Sequence, residues 1–138
     1  MDQATIDSTN RWLTKASHDL LAAERGSTVD DQALDTCVYH CQQAGEKALK
    51  AFLVAHSVVF PKTHNLVVLL PMCESLNARF QQWHTEAALL SPLAFTFRYP
   101  DDFAPLNPTR AQFDEALVAA RRIYDFVLSL LPPETHPT

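Results

Sequence analysis

Between Tyr39 and Ala55 the chain reads Tyr-His-Cys-Gln-Gln-Ala-Gly-Glu-Lys-Ala-Leu-Lys-Ala-Phe-Leu-Val-Ala. Tyr39, His40, Gln43, Glu46, Lys47 and Lys50 are the members able to do chemistry: a phenol, an imidazole, an amide, a carboxylate and two ammonium groups. On a helix turning about 100° per residue they gather on one side. Such a face is either solvated or a site, and its mixture of both charge signs suits binding a polar, charged ligand. The other side carries Leu34, Cys37, Val38, Cys41, Ala44, Gly45, Ala48, Leu49, Phe52 and Ala55, an apolar arc wide enough to make this the central, most buried helix.

Several chemistries are excluded by what is missing. A di-metal bundle needs Glu-x-x-His pairs projecting from two helices, and no helical Glu or Asp here has a His three residues on in a usable place. The two glycines are isolated, so there is no phosphate-cradling loop, and no cysteine pair has zinc-knuckle spacing. The sequence therefore implies neither metal nor cofactor. Eleven Lys and Arg against sixteen Asp and Glu leave a net charge of -5, which argues against gripping nucleic acid by bulk electrostatics while leaving room for a local basic patch. Three cysteines, two of them one helical turn apart on the apolar arc, read as core residues in a reducing cytoplasm. No apolar run approaches the roughly 20 residues of a membrane span.

The elements that position the central face follow from periodicity. With 138 residues, 47% of them hydrophobic, and only two Gly, the chain is long enough for one self-sufficient all-α domain spanning residues 1–138, with its core between about 8 and 131. A first helix is expected from Asp7 or Ser8 to Arg25, ending at Gly26 and burying Leu13, Ala16, Leu20 and Ala23. Asp30, Asp31 and Asp35 place negative charge at the start of the central helix. Gly45, inside that helix, marks a close approach by another. Phe60-Pro61-Lys62-Thr63 breaks the chain, with Thr63 capping a short third helix and His64 in its first turn. A fourth helix, about Asn77 to Phe97, buries Phe80, Trp83, Ala87, Leu90, Ala94 and Phe97 and kinks at Pro92. The proline-rich stretch from Arg98 to Pro108 reads as an ordered connector. Thr109 with Gln112 forms a capping box for the last helix, which buries Phe113, Leu117, Ala120, Tyr124, Val127 and Leu131. Pro132-Pro133 ends it, and Glu134 to Thr138 is expected to fray. The architecture implied is an antiparallel four-helix bundle with one additional short helix.

The order of these segments carries a further signal. Gln42-Gln43-Ala44 and Glu46-Lys47-Ala48-Leu49-Lys50-Ala51, then Pro61-Lys62-Thr63-His64-Asn65-Leu66, then Arg98-Tyr99-Pro100-Asp101, preceded by Lys15-Ala16 with Asp19-Leu20 and Ala23, together resemble the HEPN family, the "higher eukaryotes and prokaryotes nucleotide-binding" bundles. The resemblance implies a homodimer, often paired with a minimal nucleotidyltransferase as toxin and antitoxin, that binds nucleotide or RNA. Many members are metal-independent ribonucleases using an Arg and a His with four to six residues between them. Here the Arg is Arg98, and Phe103, Ala104 and Pro105 occupy those offsets, none of which titrates near neutrality. A binding module without nuclease activity is therefore expected. Its ligand residues would be Gln43, Glu46, Lys47, Lys50, His64, Arg98, Tyr99 and Asp101, converging on one groove. The alternative is a ribonuclease whose motif has moved to Arg79 and His84, five residues apart.

Overall fold

The computed structural model describes residues 1–29, 31–100 and 107–138. Five α-helices carry the architecture: α1 Gln3–Val29, α2 Leu34–Ala55, α3 Leu66–Glu74, α4 His84–Leu90 and α5 Arg110–Leu130. Short 3₁₀ turns cover Ala78–Trp83, Ser91–Ala94 and Pro133–Thr135, and no strand occurs among the described residues. The all-α bundle expected from periodicity is what the chain forms. No helix among those residues is long and apolar enough to cross a membrane.

As the apolar arc requires, α2 is the central rod, packed against α1, α3 and α5. Gly26 lies beside Cys37, Asp19 beside His40 and Trp12 beside Lys50, so α1 and α2 run antiparallel. Helix α5 returns along α1 in the opposite sense. Arg110 donates to the Ser27 carbonyl at 2.7 Å, Arg121 pairs with Glu24, and the residues after α5 reach Asn10. The interior is filled by Leu13, Leu34, Leu49, Phe52, Leu66, Phe80, Leu90, Phe113 and Ile123, all 2% exposed or less.

Gly45 meets the expectation of a close approach. A Cβ there would lie 2.9 Å from Leu90 and 3.0 Å from Leu66, closer than carbon atoms pack without displacement. The three cysteines are buried and unbridged. Burial among apolar side chains pushes the Cys41 and Cys73 thiols up to about 12 and raises that of Cys37, so none offers a thiolate near neutral pH.

Several boundaries differ from the sequence reading, each for a local reason. Helix α1 starts at Gln3 because Asp2 Oδ1 accepts from the Thr5 amide at 2.8 Å, and Asp7 lies inside it. Gly26 does not end α1. It is under Cys37 Sγ, where a Cβ would come within 2.8 Å, so this glycine serves packing rather than a helix stop. Asn65, not Thr63, caps α3, its side chain accepting from Val67 N at 3.0 Å while Thr63 Oγ1 accepts from Asn65 N. His64 consequently precedes the helix instead of joining its first turn.

The continuous fourth helix is instead Ala78–Trp83 in 3₁₀ form, the two-turn α4, and Ser91–Ala94 around Pro92. Asn77 starts this composite rod by accepting from Arg79 N. Phe80, Ala87, Leu90, Ala94 and Phe97 are buried as expected, whereas Trp83 is half-buried. The Thr109–Gln112 capping box forms in both directions. The tail does not fray: Thr135 is fully buried, and Asn10 Nδ2 donates to the Thr135 and His136 carbonyls at 3.1 and 3.0 Å. The two prolines that end α5 turn the chain back onto α1. Asp30 and residues 101–106, and with them Asp101 and most of the expected connector, lie outside the described residues.

Candidate functional site

The polar side of α2 is largely buried, and its side chains divide among separate partners. Glu46, 3% exposed, is the hub of the first group. Its Oε2 holds Lys50 Nζ at 2.9 Å, while Oε1 accepts from Gln42 Nε2 at 3.1 Å and from His64 Nδ1 at 3.0 Å. Gln42 also donates to the His64 carbonyl at 2.8 Å, and Gln43 donates to Gln42 Oε1 at 2.7 Å. The Lys50 ammonium lies 5.7 Å from the Trp12 ring centroid and 5.5 Å from that of Phe60, cation–π contacts that close the lysine in. Every charge in this cluster is matched, and together it ties α1, α2 and the segment before α3 into one piece.

Asp19, a buried residue of α1, organises the second group. Its carboxylate takes Lys47 Nζ at 2.6 Å on one oxygen and His40 Nδ1 at 2.8 Å on the other. Binding through Nδ1 leaves the His40 Nε2 edge turned away from Asp19, on a side chain 30% exposed. His40 lines a cleft of about 290 Å³ with Asp35, Thr36, Tyr39 and Arg98. The Arg98 guanidinium lies 3.9 Å from the Tyr39 ring centroid, a cation–π contact made through the face of the guanidinium plane. Tyr99 is exposed nearby, 5.9 Å from the same guanidinium.

On the other side of the Asp19 bridge a cleft of about 250 Å³ is lined by Ser8, Arg11, Trp12, Lys15 and Lys47. Among the described residues, no three His, Cys, Asp or Glu side chains are grouped so as to hold a metal ion.

The structure brings Gln43, Glu46, Lys50 and His64 together, Lys47 into the neighbouring Asp19 group, and Arg98 and Tyr99 to the Tyr39 end. It does not bring Lys50 to Arg98. Eleven residues of α2 separate Tyr39 from Lys50, roughly 16 Å along the axis, and Lys50 is occupied by Glu46 and two rings. Arg79 and His84 also have different partners. Arg79 lies over Phe126 at 5.3 Å, and His84 Nε2 bonds the Glu74 carboxylate.

Asp19, Gln42, Arg11, Trp12 and Lys15 are the residues that reasoning along α2 alone passed over. Asp19 had a sequence signal, since it follows Lys15 by one helical turn on α1. Gln42 had its place in the family-like Gln42-Gln43-Ala44 run.

The sequence matches the HEPN domain family over residues 9–130. The chain belongs to the HEPN family. Among solved structures it is similar to TT1696 from Thermus thermophilus, with a TM-score of 0.78 and 29% identity, covering 91% of this chain and 99% of that one. No curated protein matches. In this HEPN chain the stretch of α2 from His40 to Lys50 therefore serves two ends. Gln42, Glu46 and Lys50 are committed to one another inside the bundle, while His40 and Lys47 face the two clefts.

Proposed function

We propose that this HEPN chain is a nucleotide- or RNA-binding module that works as a homodimer beside a minimal nucleotidyltransferase, in a toxin and antitoxin pair. The supporting observation is the cleft in which Arg98 stacks on Tyr39 beside Thr36 and His40. It offers a guanidinium edge for a phosphate, an aromatic surface for a base, and a hydroxyl and imidazole for the sugar. The homodimer is supported by exposed Val67 and Phe95, which line one shallow cleft with Ala88 and Pro92 that a second copy would cover. Titration with ATP and with short RNA tests the reading. Arg98→Ala, at an exposed position, is expected to weaken binding about 10- to 100-fold by losing one charge-assisted contact while leaving the melting temperature unchanged. Absence of binding by the parent protein overturns it.

The Asp19–His40 pair favours a second reading, a metal-independent ribonuclease in which α2 supplies the imidazole that the Arg98 segment lacks. Asp19 fixes His40 with Nε2 outward, as a general base needs. Nε2 would take the proton from a ribose 2′-hydroxyl as its oxygen attacks the adjacent phosphorus and Arg98 holds the phosphate. The 5′-oxygen then leaves, taking a proton from water, giving a 2′,3′-cyclic phosphate and a 5′-hydroxyl, and the hydroxide so formed takes back the proton held on His40. RNA incubated in chelator is expected to be cut at least about 100-fold more slowly by His40→Asn. Equal rates for parent and variant eliminate this reading.

A further inference from the structure

Two clefts flank the Asp19 bridge, and each sets cationic side chains beside an aromatic ring. In one, Arg98 lies over Tyr39; in the other, Arg11, Lys15 and Lys47 line a cleft with Trp12. They are joined through Asp19, which bonds His40 of the first and Lys47 of the second. Seven residues of α2 separate His40 from Lys47, about 10 Å along the helix axis. That length matches about three nucleotides of a stacked single strand at roughly 3.4 Å each.

We infer that the ligand is a single strand of RNA laid along the α1–α2 groove from the Arg98–Tyr39 cleft to the Arg11–Trp12 cleft, rather than a mononucleotide held in either one. This rests on the RNA-binding reading above. Three features of the groove support a strand.

The first is charge. The chain as a whole is acidic, at -5, yet Arg98, Lys47, Lys15 and Arg11 follow one another here. Lys47 neutralises Asp19, which leaves Arg98, Lys15 and Arg11 for phosphates, and among the described residues Asp35 is the carboxylate lining the Tyr39 cleft. The second is the alternation of ring and cation, which suits successive bases and phosphates whatever the base identity. The third is rigidity. Trp12 is braced edge-on by Phe60 at 6.0 Å and by the buried Lys50 ammonium, and Lys47 is fixed by Asp19, so little order is lost when a strand docks.

Calorimetric titration of the full chain with AMP and with an RNA hexamer tests the inference. The hexamer, reaching both clefts, is expected to bind at least about 100-fold tighter than AMP, since the second contact is made at the high effective concentration that tethering gives. Its affinity is expected to fall with salt at a log–log slope of roughly −2, against roughly −0.7 for one phosphate. Arg11→Ala with Lys15→Ala, both at exposed positions, is expected to remove most of the hexamer's advantage and leave AMP affinity within about twofold. A hexamer no tighter than AMP, or a double variant that weakens both ligands equally, overturns the spanning strand while the nucleotide-binding function survives. Failure of both ligands to bind overturns that function as well.

Discussion

Glu46→Ala is expected to lower the unfolding free energy by about 3 to 5 kcal/mol, the usual consequence of removing one member of a buried ion pair. Glu46 is 3% exposed and Lys50 7%, and the truncation leaves an ammonium enclosed by Trp12 and Phe60 with no counter-charge. It also takes the acceptor from Gln42 Nε2 and His64 Nδ1. For a chain of this size each kcal/mol corresponds to about 3 to 4 °C, so the melting temperature is expected to drop by roughly 9 to 20 °C. The paired change Glu46→Leu with Lys50→Met, which removes both charges and keeps volume, is expected to recover more than half of that loss, because no uncompensated charge remains. Calorimetry of the parent, the single and the double variant distinguishes a structural pair from a ligand-facing one. A Glu46→Ala protein melting within about 2 °C of the parent would mean that Lys50 is solvated and available as a phosphate contact.

That outcome bears on how much of the candidate site could be read from the sequence. The apolar arc of α2 was legible because burial repeats at three and four, and Leu34, Cys41, Leu49 and Phe52 are interior as the pattern required. The polar arc was legible as a set of residue types, but its burial was not. Spacing along one helix records which side chains share a face and says nothing of what lies opposite. Here Trp12, Asp19, Phe60 and the residues before α3 cover most of that face, so Glu46 and Lys50 became an interior pair instead of a surface one. Gln42, fully buried, serves as a polar spacer that only the position of His64 explains. Gly26 shows the same limit from the other side: a glycine after a helical run reads as a stop, and only the nearby Cys37 sulfur shows why α1 continues past it.

Phe80→Ala is expected to cost about 3 to 5 kcal/mol, the range for removing a fully buried aromatic ring. The reason is that Phe80 anchors the stretch where the sequence reading of a regular helix gave way. It has no exposed surface, and its ring centroid lies 4.6 Å from that of Phe52 on α2 and 5.0 Å from that of Phe126 on α5, edge-on to the latter. The Ala78–Trp83 turn that carries it is 3₁₀, with poorer hydrogen-bond geometry than an α-helix, so little backbone energy holds it in place. Side-chain burial must do so. Loss of the ring is therefore expected to act twice, by opening a cavity between α2 and α5 and by releasing the turn that leads into α4. Phe80→Leu, which keeps much of the volume, is expected to cost about 1 to 2 kcal/mol. Denaturant melts give the magnitudes, and amide exchange locates the effect. In Phe80→Ala the protection of residues 78–83 is expected to fall by more than the global change, while that of α2 falls only with it. Equal loss of protection across both segments would show that the backbone bonds of the 3₁₀ turn, not the aromatic anchor, hold the composite fourth rod against the bundle.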